Sequence, residues 1–304
     1  MKWSFFATLV FCVIELIAGI RASSLALVSD AGHNFTDALA IALAALGFRL
    51  QSKPANNVKT YGYHRAGVLT AFANALTLIM ISLFIFYEAW DRFFHPQPVA
   101  EWTMLGVAAA GLAVNGAIML GLRGDKDHDL NIRAAFMHML GDAVSSIAIM
   151  AGAVAIHYTG LQIIDPVLSV LIGALIIWTA WDIIQESLNV LLEGLPRGME
   201  LESVCSSMRE IEGVIDVHDV HIWSLGSNAH ALSCHVLIED MPPSESNAIL
   251  QRVNDLLRTF QIHHCTIQFE HTKCALSETP CSMVAAPHLH EHSHAQGHEH
   301  HHSH

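Results

Sequence analysis

Charge is scarce in this sequence. Only 14% of the 304 residues are charged, whereas an average soluble domain is about one quarter charged. Hydrophobic residues make up 52% of the chain, and the mean hydropathy is +0.40. This composition, together with long apolar runs, excludes an ordinary soluble protein and favours a membrane protein.

Positive charge is especially rare. The chain has 15 Lys and Arg against 28 Asp and Glu, which gives a formal net charge of −13. Binding to nucleic acid needs clustered Lys and Arg, so we exclude a nucleic-acid partner. Residues 1–187 hold 10 basic and 13 acidic residues, whereas residues 188–304 hold 5 and 15. The two parts are therefore predicted to lie in different surroundings.

The cysteines lack motif spacing. None of the six forms a C-x-x-C pair, which excludes a zinc knuckle of that type and a thioredoxin-like redox motif. We expect free thiols in a reducing compartment.

Six apolar stretches have about the 20 residues that a helix needs to cross a bilayer. They are approximately Trp3–Ile20, Leu25–Leu50, Ala66–Trp90, Trp102–Leu122, Ala134–His157 and Ile163–Gln185. No small-residue cleavage site follows the first stretch, so we expect it to be a retained transmembrane helix.

Basic residues of the connecting loops predict the orientation. The loop after the second stretch carries four of them, and the loop after the fourth carries Arg123, Lys126 and Arg133. Positive loops stay in the cytoplasm, so both termini are predicted to be cytoplasmic. The absence of a signal peptide and of loop glycosylation sequons favours a multi-pass protein of a bacterial inner membrane.

The remainder of the chain divides in two. Helical and strand periodicities in residues 196–271 predict a small domain with the order α-β-β-α-β. Nine His occur in residues 288–304, which indicates a disordered, low-complexity tail. An expression tag is an alternative, but tags are uninterrupted, so a weak metal-collecting arm is favoured. We predict a transport domain at 1–190, a cytoplasmic domain at 191–275 and a tail at 276–304.

Clusters of ionisable residues interrupt the second and fifth apolar stretches. The second contains Asp30, His33 and Asp37, and the fifth contains His138 and Asp142. Such residues are costly in a membrane and usually functional. Each H-x-x-x-D pair lies on one helix face, and both pairs lie at mid-bilayer depth. Two imidazoles and two carboxylates are thus predicted to converge.

Four nitrogen and oxygen ligands suit tetrahedral Zn²⁺ better than Ca²⁺, which takes six to eight oxygens. Two carboxylates neutralise one divalent ion, and they would bind protons when the ion leaves. This competition is the chemistry of a metal/proton exchanger, although Co²⁺ and Cd²⁺ are not excluded.

Other interpretations stay open at this point. The four side chains could merely hold helices together, or the protein could be a zinc sensor or a passive channel. A metal-dependent intramembrane hydrolase needs a general base such as the Glu of H-E-x-x-H, and no Glu stands beside either His pair. The sequence is therefore predicted not to encode an enzyme.

Several motifs resemble the cation diffusion facilitator family, in particular its bacterial zinc, cadmium and cobalt efflux members. The matching stretches are D-A-G-H-N-F-T-D-A at 30–38, Y-G-Y-H-R at 61–65, N-I-R-A-A-F-M-H-M-L-G-D at 131–142, D-P-x-x-S at 165–169, L-L-E-G-L-P at 191–196 and H-D-V-H-I-W at 218–223. The resemblance implies six transmembrane helices and a metallochaperone-like α+β domain. It also implies a homodimer formed through that domain and the membrane helices. This dimer would export zinc in exchange for protons that flow inward, and it would need no organic cofactor.

The resemblance also assigns roles to residues. His33, Asp37, His138 and Asp142 fall on the transport-site positions, and a His at the first position is similar to zinc-selective members. In the cytoplasmic domain, His218, His235, His263 and Glu270 fall on positions of a regulatory zinc site, although exposed His on a sheet are often only solvated. Arg65 and Glu193 are expected to form an ion pair, and Gly67 stands where the family usually has an acidic residue.

Overall fold

The computed structural model describes residues 2–122, 130–226 and 229–272. The side chains of residues 2–8, 122 and 130–135 are not described. The predicted tail at 276–304 lies outside the described residues.

Six long helices form the first two thirds of the chain. They are α1 (Lys2–Arg21), α2 (Leu25–Gln51), α3 (Ala66–Phe94), α4 (Glu101–Leu122), α5 (Leu130–Thr159) and α6 (Ile164–Leu191). Their bounds lie within a few residues of the six predicted spans, except that several extend by a turn. The prediction of six membrane helices is confirmed.

The composition of these helices suits a bilayer. Within the described part of the chain, α3, α4, α6 and residues Phe136–Thr159 of α5 are each long and apolar enough to cross a membrane. Helix α2 is less apolar because the five polar residues from Asp30 to Asp37 lower its hydropathy. Large apolar side chains such as Phe48 and Trp178 are exposed on the outside of the bundle, where lipid would cover them.

Glycines allow α2 and α3 to approach closely beside the loop that connects them. A Cβ atom on Gly47 of α2 would lie 3.1 Å from the Cα atom of Gly67 in α3 and 2.9 Å from the hydroxyl of Thr70. Small residues at such crossings are typical of membrane helices. The glycine at position 67 therefore has a packing role here.

A buried acid fixes the other end of α2. The Asp165 carboxylate, at the start of α6, accepts hydrogen bonds from the Ser24 hydroxyl at 2.6 Å and from the backbone N–H groups of Leu25 at 2.7 Å and Ala26 at 3.2 Å. Arg92 Nη1 lies 3.5 Å from the same carboxylate, whose side chain is fully buried. These bonds satisfy the free donors of the α2 N-terminus and complement its dipole.

The second domain has the predicted order α-β-β-α-β. It contains α7 (Leu201–Arg209), β1 (Val214–Gly226), β2 (Ala229–Ile238), α8 (Pro243–Thr259) and β3 (Ile262–Glu270). Strand β2 is central, antiparallel to β1 and parallel to β3. The parallel pairing needs a crossover, which α8 provides. Apolar side chains of both helices and one sheet face form the core.

Candidate metal-binding sites

Helices α2 and α5 bring the four predicted transport residues together. His33 Nε2 lies 3.6 Å from both Asp37 Oδ2 and Asp142 Oδ1. His138 Nε2 lies 3.3 Å from Asp37 Oδ2 and 3.9 Å from Asp142 Oδ2. Each imidazole nitrogen thus faces both carboxylates, and donors and acceptors alternate around a common centre.

These distances distinguish metal binding from simple helix pairing. Imidazole–carboxylate hydrogen bonds would be about 2.7–3.2 Å long. Bonds of about 2.0–2.1 Å to a tetrahedral Zn²⁺ place neighbouring ligand atoms about 3.3–3.4 Å apart. The observed separations of 3.3–3.9 Å are closer to the second geometry. Ligand atoms of His33, His138 and Asp142 also lie within 4.8 Å of one another, so these three residues could hold a metal ion. Asp37 adjoins this set through its contacts with the two imidazoles.

Burial differs among the four groups. The Asp142 side chain is 6% exposed, whereas that of His138 is 42% exposed. Asp37 Oδ2 is buried without a hydrogen-bond partner among the described residues. Two carboxylates held this way in a low dielectric need a compensating cation, and a divalent ion balances their charge.

Sequence reasoning missed a third buried carboxylate beside this site. Glu15 of α1 is 0% exposed, and its Oε2 accepts a hydrogen bond of 2.9 Å from the Asn34 side chain, next to His33 in the chain. Asp30 is also buried and accepts a bond of 2.6 Å from the Ser145 hydroxyl on α5. The available signal was that Glu15 is the only acidic residue of the first apolar stretch.

A second cluster lies on the sheet of the cytoplasmic domain. His218 and His235 are cross-strand partners of β1 and β2, with their ring centroids 5.5 Å apart. Glu270, on β3, lies 3.1 Å from His218 Nε2 and 2.8 Å from His235 Nδ1. Ligand atoms of all three residues lie within 4.8 Å of one another, so this set could hold a metal ion.

Asp219 extends this cluster, and sequence reasoning did not select it. Its φ is +52°, and the pairing of β1 with β2 is shifted between His218 and His221. This irregularity brings Asp219 Oδ2 to 3.8 Å from His235 Nε2 and Oδ1 to 3.2 Å from His221 Nε2. A carboxylate is thus available where a regular strand would turn it away.

The structure does not bring His263 into this cluster. His263 lies at the start of β3 and is exposed. Glu270 is at the other end of the same strand, about 23 Å away at about 3.3 Å per residue. Within one chain, His263 and Glu270 are therefore too far apart to bind the same metal ion.

Burial disfavours the thiolate form of the three cysteines that the structure describes in the cytoplasmic domain. Burial raises the pKa of the Cys234 thiol to about 12, and it also raises the pKa of Cys205 and Cys265. Thiolate is the form that binds metal. Among the described residues of this domain, histidine and carboxylate are therefore the favoured ligand types.

Arg65 and Glu193 lie in contact at the end of the helix bundle that faces the second domain. Arg65 Nη2 is 3.0 Å from Glu193 Oε1, and the two side chains are 35% and 63% exposed. Exposed pairs contribute at most about 1 kcal/mol. This pair connects the start of α3 with the residues after α6 and orients them more than it stabilises them.

Comparison with known proteins agrees with both parts of the fold. A family model described as the cation efflux transmembrane domain matches residues 1–192. The chain belongs to the cation efflux family. A second model, the cytoplasmic domain of cation efflux proteins, matches residues 196–272, and members of this family are transporters.

Curated relatives of this cation efflux protein match over most of their length. Zinc transporter ZitB of Pectobacterium atrosepticum is 41% identical over 89% of this chain and 85% of its own. The cadmium, cobalt and zinc/H(+)-K(+) antiporter of Bacillus subtilis is 37% identical, with 86% and 85% covered. Metal cation efflux system protein CzcD of Cupriavidus metallidurans is 34% identical, with 92% and 88% covered.

Proposed function

We propose that this protein exports Zn²⁺ from the cytoplasm in exchange for protons and also accepts Cd²⁺ or Co²⁺. The observation that carries the proposal is the cluster of His33, Asp37, His138 and Asp142, in which each imidazole nitrogen lies 3.3–3.9 Å from both carboxylates. The names of the relatives, which include zinc transporters and an antiporter, support the same substrates and coupling.

The proposed exchange follows from charge balance. The two imidazoles bind Zn²⁺ as neutral ligands, and the Asp37 and Asp142 carboxylates bind it as anions. When the ion leaves on the outer side, protons replace it on the carboxylates, because two uncompensated charges are costly in low dielectric. When the site opens again to the cytoplasm, the two carboxylates release their protons and can bind another Zn²⁺ ion.

The cytoplasmic cluster is proposed to be a regulatory zinc site. His218, His235 and Glu270 would bind cytoplasmic zinc and adjust the contact between two copies of the chain in a homodimer. No organic cofactor is part of this proposal.

We further propose the inner membrane of a bacterium as the location, with both termini in the cytoplasm. The positive loops after α2 and α4 support this orientation. The proposed division is a transport domain at 1–190, a cytoplasmic domain at 191–275 and a metal-collecting tail at 276–304.

Zinc and proton fluxes measured together test the proposed exchange. Purified protein is sealed into liposomes with zinc and pH indicators inside, and zinc is added outside with an acidic interior. We expect zinc to enter while protons leave. Zinc entry without proton movement would indicate a channel, and binding without entry would indicate a sensor.

Glu270→Gln is expected to remove the cytoplasmic zinc ion while leaving the transport site intact. The amide keeps the shape of the side chain but loses the negative charge that faces two imidazoles. Calorimetric titration of the full-length protein should then give one fewer zinc ion per chain. Glu245→Gln, on the exposed side of α8, is the matched control and should leave the zinc count unchanged.

Deleting residues 286–304 is expected to lower the apparent zinc affinity of transport without abolishing flux. The deletion removes nine His that would raise the local zinc concentration. Uptake measured over a range of zinc concentrations separates these effects. Complete loss of transport would contradict the proposed role of the tail.

A further inference from the structure

A cationic cavity lies where the membrane domain meets the cytoplasmic domain. It has a volume of about 630 Å³ and lies between the loop at 52–65 and the sheet. Its polar lining consists of Lys53, Thr60, Tyr61, His64 and His264. No carboxylate lines it, although acidic residues outnumber basic ones in the chain by 28 to 15. We call this space the loop–sheet cavity.

A second cavity of about 490 Å³ adjoins it and shares Tyr61 and His64. It adds the side chains of Lys59 and Arg65. Its only acidic lining residue is Glu193, which already pairs with Arg65. The positive character therefore continues across both spaces.

The loop that builds these cavities is held in a defined conformation. Asn56 Oδ1 accepts hydrogen bonds from the backbone N–H groups of Val58 at 2.9 Å and Lys59 at 2.8 Å. The Gly62 N–H donates to the Lys59 carbonyl at 2.9 Å, with a φ of +76° that favours glycine. The lining groups are thus oriented before a ligand arrives.

Two contacts attach the loop to the cytoplasmic domain. The Tyr61 ring meets the His264 ring edge-on, with centroids 5.2 Å apart. A Cβ atom on Gly226 would lie 3.1 Å from the His64 carbonyl oxygen, so the two backbones are in close contact. The cavity therefore has one wall from each domain.

Two apolar side chains that line the adjoining cavity are exposed. Val58 is 82% exposed and Leu69, on the first turn of α3, is 56% exposed. The loop connects the ends of two membrane helices, so it lies at the level of the lipid headgroups. A ligand with an anionic head and an apolar tail would match the cations of the cavity and these side chains together.

We propose that the loop–sheet cavity binds the phosphate headgroup of an anionic phospholipid from the cytoplasmic leaflet. Lys53 supplies the charge, and Tyr61, His64 and His264 supply hydrogen-bond donors. Bound lipid ties the cytoplasmic domain to the loop that follows α2, the helix that carries His33 and Asp37. This binding goes beyond the proposed zinc export and does not depend on it.

The test uses full-length protein in an uncharged detergent, titrated with phosphatidylglycerol or phosphatidylcholine. Native mass spectrometry counts the bound lipid, and thermal unfolding reports its effect on stability. We expect phosphatidylglycerol to bind about tenfold more tightly than phosphatidylcholine, because its phosphate is not neutralised by a choline group. Equal binding of the two lipids would overturn the proposal.

Substitutions in the cavity lining test whether the lipid binds in the loop–sheet cavity. Lys53→Gln combined with His264→Gln should remove most of the preference for phosphatidylglycerol. Arg49→Gln is the matched control, since it removes the same charge from the same side of the membrane but does not line the cavity, and it should keep the preference. If the double variant fails to fold, Lys53→Gln alone is sufficient because Lys53 is exposed. Retained preference in the Lys53 variant would overturn the proposal.

Competition with inorganic phosphate distinguishes a lipid headgroup from a soluble anion as the ligand of the cavity. We expect phosphate to compete weakly, because it lacks the apolar part that contacts Val58 and Leu69. Full competition by phosphate would assign the cavity to a soluble anion and contradict the lipid proposal.

Discussion

Asp142→Asn is expected to reduce zinc uptake into proteoliposomes to the background rate, and proton efflux should stop with it. Asparagine keeps the size of the side chain but removes one of the two negative charges that balance the ion. A divalent ion beside a single carboxylate is poorly compensated where the surroundings are as buried as Asp142, which is 5% exposed. Asp37→Asn is expected to behave in the same way.

The control is Asp182→Asn, which removes the same charge from an exposed position of α6 outside the site. It should transport zinc at the rate of the unmodified protein. Thermal unfolding of all three variants shows whether they are folded. Transport by Asp142→Asn at the unmodified rate, in folded protein, would refute the assignment of the site.

The proximity of the four proposed transport residues was predictable because most of the information is local. Each His lies four residues before its Asp, and helical geometry alone places the members of a pair on one face. The apolar stretches add the depth of each pair in the bilayer. What remains is to place α2 against α5, and the structure does this with His33 and His138 rings 5.8 Å apart.

Features that depend on distant parts of the chain were not predictable in this way. Glu15 finds its partner Asn34 on another helix, 19 residues away, and a single carboxylate in an apolar stretch does not indicate which neighbour it will meet. Asp219 joins the cytoplasmic cluster through a left-handed backbone conformation that its sequence neighbours do not specify. Which end of β3 lies beside His235 follows from the parallel pairing of β3 with β2, and the strand pattern of the sequence alone does not specify that register.

The cap on α2 joins the most distant of these residues in the sequence, since Asp165 and Ser24 are 141 residues apart. Asp165→Ala is expected to cost about 3–5 kcal/mol of stability, because it leaves the Arg92 guanidinium without its partner in a buried setting. It also removes the acceptor of three hydrogen bonds at the N-terminus of α2. Thermal unfolding in detergent should show a large decrease in Tm.

Two further variants separate the charge from the cap. Ser24→Ala removes only one hydrogen bond and should cost about 1 kcal/mol. Replacing both members of the ion pair, with Arg92→Met and Asp165→Leu together, leaves no unpaired buried charge and should cost less than Asp165→Ala alone. A smaller loss for Asp165→Ala than for Ser24→Ala would contradict this account. Because α2 carries His33 and Asp37, we expect the zinc transport of surviving Asp165→Ala protein to decline as well. The contacts at the N-terminus of α2 would then help to determine the geometry of the site.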